Sequence, residues 1–451
     1  MAWNLPAQVL VAMLWLFLSS WGTAEIQSNP PNIIMVLADD LGWGDLSCHG
    51  HPDYKTPNID RLASQGVDLQ QFSVAAPLCS PSRTAILTGT FPARFGILYP
   101  FQMNVNIAIG QPDWLSHKGP TLPSLLRDHG YATAICGKWH LVEEQVGDML
   151  DAPTPADYGF THWKLMRGPW KPAIQPTGSF DAALDFIKNR PKGPFFLQVT
   201  THEPHCPYIP SQEALKANAH LSERIQKYAA SVTDLDRGVG RLLDLLEQEK
   251  LDQNTLVIFT SDNGPAKPKT NPEAPYQEYY NAGSSGGLRG HKGDLYEGGP
   301  RVPFIVRWPG HSPSGKIDKV SVVNAVDLLP TLVGIAGVAM PKEWGGDGED
   351  RSSVLKGIPS GRSKTLFWRT EKSEALRDGD WKMVLNRKTG NAELFNLNKD
   401  PFEQQNLAKT SPEKTTRYLE ELERWRKTLP TELDPTVCSV ARKKQAKSSD
   451  K

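Results

Sequence analysis

An excess of charge of either sign is missing from this chain: Lys plus Arg and Asp plus Glu both number 50 in 451 residues, so the formal net charge is zero. That balance excludes a sequence-independent nucleic-acid binder, which needs a basic surplus. It does not exclude a local anion pocket, because net charge averages over such features. Cysteine is scarce as well. Cys48, Cys79, Cys136, Cys206 and Cys438 lie far apart with no C-x-x-C pair, which argues against a zinc cluster. An odd number leaves at least one thiol unpaired in an exported protein. No Asn-x-Ser/Thr acceptor for N-glycosylation occurs. Beyond the N-terminus no apolar run approaches the roughly 20 residues that cross a bilayer.

The N-terminal run itself, Val9 to Leu18, is short and leads into small residues from Ser19 to Ala24. It reads as a secretory signal peptide, residues 1–24, cleaved near Ala24, although no Lys or Arg precedes it. The alternatives are a membrane anchor or a buried first helix. The expected product is secreted or periplasmic, or lysosomal in a eukaryote, with no stable membrane anchor. At 39% hydrophobic and 22% charged, the chain suits a folded protein with one large domain and a smaller one.

Several β-rich apolar runs end in polar residues able to do chemistry. Asn32 to Ala38 leads into Asp39 and Asp40, and Tyr131 to Cys136 leads through Gly137 into Lys138 and His140. Phe195 to Thr201 leads into His202 and His205, and Thr255 to Ser261 into Asp262 and Asn263. Runs this continuous predict strands buried on both faces. Helical patterns lie between them, at Pro57 to Gln65, Thr121 to His129 and Val232 to Leu251. Alternation of this kind predicts an α/β fold with a large, mostly parallel central sheet flanked by helices. Ligands in such folds sit beyond the carboxyl ends of the strands, which is where all these polar residues fall. This larger domain is expected over residues 29–340. After the glycine-rich break Gly345 to Gly348, shorter strand patterns (Lys364 to Arg369, Trp381 to Leu385) and a helix start at Ser411-Pro412 predict an antiparallel subdomain with a terminal helix, residues 345–435. A disordered tail is expected over 436–451, Lys- and Ser-rich from Arg442.

The most specific segment is Cys79-Ser-Pro-Ser-Arg83-Thr-Ala-Ile-Leu-Thr-Gly89. Pro81 suits a first helical turn, so Cys79 is expected at a helix N-terminus, where unpaired N–H groups and the dipole favour anions. Arg83, one turn along, adds a forked pair of donors for an oxyanion. A buried cysteine beside an ordinary helix start is the plainer reading. Asp39, Asp40, Asp262 and Asn263 are four hard oxygen donors from two strand ends, a set that suits Ca²⁺ or Mg²⁺ and suits zinc poorly. Each pair read alone is also an ordinary turn former.

The Cys79 segment resembles the signature of the sulfatase family, Cys-x-Pro-Ser-Arg followed by Leu-Thr-Gly. Further matches follow in the family's order: Pro31-Asn-Ile-Ile, Asp39-Asp40-Leu-Gly-Trp-Gly-Asp45, Gly137-Lys-Trp-His140-Leu, Ser261-Asp-Asn-Gly264, Leu288-Arg-Gly-His-Lys292-Gly with Glu297-Gly-Gly, and Glu393-Leu-Phe-Asn-Leu with Asp400-Pro. The pattern is similar to arylsulfatase A and N-acetylgalactosamine-6-sulfatase within the alkaline phosphatase superfamily. The resemblance implies a sulfuric ester hydrolase of the alkaline-phosphatase-like fold. It implies that a formylglycine-generating (sulfatase-maturing) enzyme oxidises Cys79 to 3-oxoalanine, Cα-formylglycine. The hydrated aldehyde attacks sulfur to give a sulfo-enzyme intermediate, which its second hydroxyl then expels. By the same resemblance one Ca²⁺ is held by Asp39, Asp40, Asp262 and Asn263. Lys138 and Lys292 contact sulfate or the nucleophile, Arg83 supports the formylglycine, and His140 orients a hydroxyl and acts as base.

The remaining histidine has two candidates. His202-Glu-Pro and His205-Cys-Pro both follow the strand; counting from Phe195, His205 falls where the family places its sulfate-binding histidine and proton donor. His202 is then a supporting residue, and His291 beside Lys292 stays open. Substrate is expected to be a sulfate ester, of a sulfated glycan by the resemblance. Specificity would reside in the loops Tyr99 to Ser116, Val142 to Pro176 and Pro265 to Ser285, where Trp114, Trp163 and Trp170 are either sugar-stacking or packing residues. Two rivals remain: a phosphodiesterase or phosphonate monoester hydrolase of the same superfamily, and a non-catalytic binder of sulfated glycans should Cys79 stay unconverted.

Overall fold

Strand β1 shows why these runs fold as they do. Its residues Asn32–Ala38 are all buried, and they alternate between two cores. Ile33, Met35 and Leu37 join one apolar cluster, while Ile34, Val36 and Ala38 join the other. Period-two alternation with both faces apolar is what a strand sandwiched between helix layers requires. The computed structural model describes residues 30–142, 151–166, 178–267, 282–440 and 442. The expected signal peptide, Trp170, parts of the loops Val142 to Pro176 and Pro265 to Ser285, and the end of the expected tail lie outside the described residues.

In chain order the strands are β1 (Asn32–Ala38), β2 (Val67–Leu69), β3 (Phe72–Ser73), β4 (Ala132–Gly137), β5 (His162–Leu165), β6 (Phe195–Thr200), β7 (Thr255–Ser261), β8 (Phe304–Arg307), β9 (Lys316–Asp318), β10 (Val323–Asn324), β11 (Leu366–Arg369), β12 (Ser373–Asp378), β13 (Trp381–Asn386) and β14 (Ala392–Asn396). The main sheet has eight strands in the order β5-β4-β6-β1-β7-β8-β2-β9. Its centre is parallel: β1 pairs with β6 on one side and β7 on the other, and β4 pairs with β6. Towards one edge, β8 runs against its neighbours β7 and β2. The register aligns the four carboxyl ends, with Leu37 opposite Thr200, Ala38 opposite Ser261 and Gly137 opposite Thr200.

Helices cover both faces. Pro57–Ser64, Gly178–Asn189 and the long Glu223–Gln248 bury their apolar sides in one core. Cys79–Thr88, Leu122–Arg127 and Leu328–Ile335 pack into the other. The long helix begins nine residues before the apolar periodicity at Val232, because its first turns are mostly polar, with Tyr228, Ala229, Ala230 and Ser231 buried just ahead of that point.

β11 to β14 form an antiparallel sheet, closed by the helix Pro412–Arg426, which buries Tyr418, Leu422 and Trp425. This layer continues the core and does not stand apart: Trp425 stacks on Phe367 at 4.9 Å and meets Phe91 edge-on, and Trp368 Nε1 donates to the Val74 carbonyl at 2.7 Å. Pro31–Lys451 is accordingly one compact unit. The expectation of disorder from 436 onward needs correction at its start. Cys438 and Ser439 are buried, and the carboxylate of buried Asp113 accepts the Ser439 N–H at 2.8 Å and pairs with Arg442 at 3.1 Å. A buried carboxylate needs such donors, and this stretch supplies them. Among the described residues no helix is long and apolar enough to cross a membrane, and all the cysteines are unbridged.

Gly137 closes β4 with φ +116°, and a Cβ there would meet the Thr200 carbonyl oxygen at 1.8 Å. Gly193 has a similar φ of +103° but open space around it. Gly193→Ala should therefore cost only the backbone strain of about 1–3 kcal/mol, and Gly137→Ala clearly more, read from urea denaturation midpoints. Equal losses at the two positions would show that the close approach is unimportant.

Candidate active site

Four adjacent strands deliver their terminal residues to one place: Asp39 and Asp40 after β1, Lys138 and His140 after β4, His202 and His205 after β6, Asp262 and Asn263 after β7. The ends are tied together. Asp262 N–H donates to the Ala38 carbonyl at 3.1 Å, Asp40 N–H to Asp262 Oδ1 at 3.3 Å, and Leu41 N–H to Ser261 Oγ at 3.0 Å. Asp40 and His140 hold left-handed backbone, φ 64° and 52°. For non-glycine residues that costs about 1–3 kcal/mol and is found where surrounding structure enforces it, often at functional sites.

Cys79 opens the helix Cys79–Thr88, all of whose residues are buried. Its Sγ lies 3.3 Å from Lys292 Nζ and 3.7 Å from Asp39 Oδ1. One turn on, Arg83 donates to Asp262 Oδ2 through Nε at 2.9 Å and Nη2 at 2.7 Å, and through Nη1 to the Lys138 carbonyl at 3.0 Å. Lys138 Nζ reaches Asp39 Oδ2 at 2.7 Å, and Lys292 Nζ reaches Asp40 Oδ1 at 2.5 Å. Asn263 Nδ2 donates to the same Asp40 oxygen at 2.8 Å. Thus Cys79, Arg83, Lys138, Lys292, Asp39, Asp40, Asp262 and Asn263 converge as one cluster.

Both histidines after β6 reach it. His205 Nε2 is 3.6 Å from Asp40 Oδ2, and His202 Nδ1 is 3.6 Å from Asp39 Oδ2. Their rings lie 5.2 Å apart. His205 Nδ1 contacts the Cys206 carbonyl at 2.5 Å; a carbonyl only accepts, so Nδ1 carries a proton and Nε2 is turned toward the site. Among the described residues neither ring nitrogen of His202 has a hydrogen-bond partner. His140 is partly buried, within the field of Lys138, Arg83, Asp39 and Lys292. His291 is only half-buried, next to Asp294 and Lys267.

The cluster balances its charge, three carboxylates against Lys138, Lys292 and Arg83. Burial works against the charge of Asp39, but Lys138, His205, Arg83 and Lys292 outweigh it and hold the carboxyl well below its usual range. Burial pushes the Cys79 thiol up to about 12. It also pulls His140, His202 and His205 below the ordinary imidazole range.

A divalent cation fits this donor set. Asp40 Oδ2 and Asn263 Oδ1 are buried oxygens with no hydrogen-bond donor among the described residues, a costly state that a bound cation would relieve. Oxygen donors from carboxylates and an amide are those of Ca²⁺ or Mg²⁺. Asp39, Asp40, Cys79 and His205 also bring ligand atoms within 4.8 Å of one another.

One supporting residue has no obvious role in the sequence. Asp45, fully buried, accepts from Gly42 N–H at 2.7 Å, Tyr54 OH at 3.0 Å, Tyr228 OH at 2.6 Å and Ser284 N–H at 2.8 Å. It thereby pins the loop after Asp40 to the long helix and to the segment leading to Lys292. Burial pushes its carboxyl up to about 7, against those four donors. An acid closing a glycine-rich stretch after a strand is the signal that points to it.

Fixed cations, hard oxygen donors and neutral imidazoles around a side chain at a helix N-terminus define a hydrolase for esters of a tetrahedral oxyanion. Comparison with known proteins narrows the class. Residues 31–338 match the Sulfatase family model, and residues 291–428 match the model for the C-terminal part of N-sulphoglucosamine sulphohydrolase. The chain is 32% identical to N-acetylgalactosamine-6-sulfatase of Canis lupus familiaris, over 88% of this chain and 84% of that one. It is 33% identical to human arylsulfatase A, over 76% of this chain and 71% of that one. The crystal structure of Ps i-CgsB with k-i-k-neocarrahexaose superposes with TM-score 0.77 at 26% identity, covering 90% of this chain and 96% of that chain. PsFucS1 sulfatase from Pseudoalteromonas sp. shares the fold, with TM-score 0.74 at 24% identity over 95% and 96% of the two chains. The chain belongs to the sulfatase family and is a sulfuric ester hydrolase.

The histidine shifts predict a pH dependence. A buried imidazole held neutral takes up a proton on unfolding, so its contribution to stability is intact above the unfolded value near 6.5. It is lost as pH falls below that, by up to about 1.4 kcal/mol per pH unit. The raised carboxyls of Asp45 and Asp262 act in the opposite sense, so the informative quantity is a difference. In cation-stripped protein, His202→Asn should destabilise less at pH 5 than at pH 7, measured by urea denaturation. The same loss at both values would show that His202 titrates alike folded and unfolded.

Proposed function

We propose that the enzyme removes sulfate from sulfated carbohydrates with a formylglycine made from Cys79 and one Ca²⁺. The observation that carries this reading is the place of Cys79: at a helix N-terminus, beside Lys292 and Asp39, where four strand ends meet. Relatives add the substrate class. One is named for the 6-sulfate of N-acetylgalactosamine, and the Ps i-CgsB structure holds a carrageenan-type oligosaccharide.

Asp39, Asp40, Asp262 and Asn263 would hold the cation, whose charge would stabilise developing negative charge in the site. The Cys79-derived aldehyde, when present, would supply a hydrated pair of hydroxyls for covalent catalysis. Lys138 and Lys292 stand next to that position and take the sulfate oxygens, where charge develops in the transition state. The arithmetic permits this: three carboxylates already face three side-chain cations, so a divalent ion leaves the site short of negative charge, which the sulfate ester brings. Arg83 stays bonded to Asp262 and fixes the helix that carries residue 79. His140, held neutral by desolvation and the neighbouring cations, would act as the base at the releasing hydroxyl. His205 turns Nε2 inward beside Asp40, whose charge favours the imidazolium; in that form, with both ring nitrogens protonated, it would serve the leaving oxygen as its proton donor.

Protein co-expressed with a sulfatase-maturing enzyme should yield a residue-79 peptide whose mass reflects –CHO in place of –CH₂SH. Cys79→Ala should reduce turnover of a sulfate ester by at least about 10³-fold, since the covalent route is lost. Wild-type turnover by protein that carries only the free thiol would remove the nucleophile from this scheme.

Calcium is tested separately. Chelation should abolish turnover and Ca²⁺ should restore it. Asn263→Ala removes a neutral oxygen without stranding a charge, so it should weaken calcium binding by roughly tenfold, about 1.4 kcal/mol, in a calorimetric titration. Undiminished turnover in metal-free protein excludes the cation from the mechanism.

A further inference from the structure

The loop that presents Lys292 is gripped at both ends by the C-terminal sheet. At one end Arg289 pairs with Glu393 of β14 at 3.2 Å, donates to the Glu403 carbonyl at 3.1 Å, and lies 3.7 Å over the Tyr296 ring, whose hydroxyl bonds Glu393. At the other end Glu297 is buried, with Oε1 2.7 Å from Lys382 Nζ of β13 and Oε2 2.6 Å from Arg301 Nε. Glu403 completes this end: its Oε1 is 3.1 Å from Lys382 Nζ, and its Oε2 accepts the Glu297 N–H at 2.6 Å. Lys292 lies between the two grips. The loop has little slack, for a Cβ on Gly298 would sit 2.1 Å from the Gly290 carbonyl oxygen, and one on Gly299 2.0 Å from that of Asp294. From this frame Lys292 N–H reaches the Pro265 carbonyl and Gly293 N–H the Pro77 carbonyl, both at 2.9 Å, just ahead of Cys79.

Stability alone is a poor explanation for so much buried charge. Desolvation offsets most of the attraction in a buried ion pair, and well-packed apolar residues often serve as well or better. What an ion-pair network does well is fix geometry, and a cation that must meet an oxyanion needs geometry: a displacement of about 1 Å can cost on the order of 10²-fold in rate.

We infer that Lys382, with Glu297 and Glu393, is a positioning residue for Lys292, so that the C-terminal sheet belongs to the catalytic machinery although it acts from outside the site cluster. This rests on Lys292 acting at the sulfate, as proposed above.

A double-mutant cycle tests it. Lys382→Met, nearly isosteric without the charge, should lower kcat roughly tenfold or more in the mature, calcium-loaded enzyme, with circular dichroism and calcium affinity retained. In a Lys292→Ala background the same change should have almost no further effect. Additive losses would overturn the inference, since the clamp would then act by another route. If Lys292→Ala alone turns over at the wild-type rate, the role given to Lys292 fails first and takes the clamp with it. Should Lys382→Met unfold, Glu393→Gln, at the half-exposed grip, replaces it in the cycle: a loss that vanishes in the Lys292→Ala background supports the clamp, and an additive loss overturns it.

Discussion

Like charges crowd the carboxyl ends of β1 and β7, and the molecule is arranged around keeping them there. Asp39, Asp40 and Asp262 come within direct reach of one another's partners in a place closed to water. Unpaired, buried carboxylates would neutralise or drive the chain open. Three cations from three separate segments prevent that: Lys138 after β4, Arg83 from the helix Cys79–Thr88, and Lys292 from a late loop. The balance pairs the acids at the strand ends and holds the cations beside Cys79. The same pairs therefore serve the fold without a ligand and the chemistry with one.

That arrangement needs a rigid base. Parallel pairing of β4, β6, β1 and β7 lines up their ends in register, and helix layers on both faces leave the crevice beyond those ends as the place for a polar cluster. Asp45 then fastens the loop after Asp40 to the long helix through Tyr228 and to the late segment through Ser284. The C-terminal sheet fastens the same late segment from the outside through Glu297, Lys382 and Glu403. Each fastening is a buried charge or carboxyl satisfied by donors from distant parts of the chain, a costly device when incomplete and a specific one when complete. Binding of substrate should thus require few rearrangements beyond the side chains of the two lysines.

Much of this is readable along the chain. Apolar runs such as Asn32 to Ala38 and Thr255 to Ser261 announce buried strands because a strand between helix layers must be apolar on both faces, and they fold with those very limits. The Cys-Ser-Pro-Ser-Arg segment announces a helix start and an anion-binding turn, which are local properties of Pro81 and the free N–H groups of a first turn. Helix ends are less readable where polar turns precede the apolar stripe, as at Glu223 to Ser231. The ordered start of the final stretch is hidden from local pattern because its docking depends on Asp113, more than 300 residues earlier.

By itself the sequence determined the inventory at the site: the four strands that reach it, the donors that end them, and the family whose motifs they form. Residue type and short-range pattern act over a few positions, and they suffice for that. Only the tertiary structure decided the pairings, Arg83 with Asp262, Lys292 with Asp40 and Lys382 with Glu297, and gave Asp45 its role. Coulomb attraction and hydrogen bonding act across space between segments whose separation along the chain carries no trace of it, so partners such as these become visible only once the sheet and its clamps have brought them together.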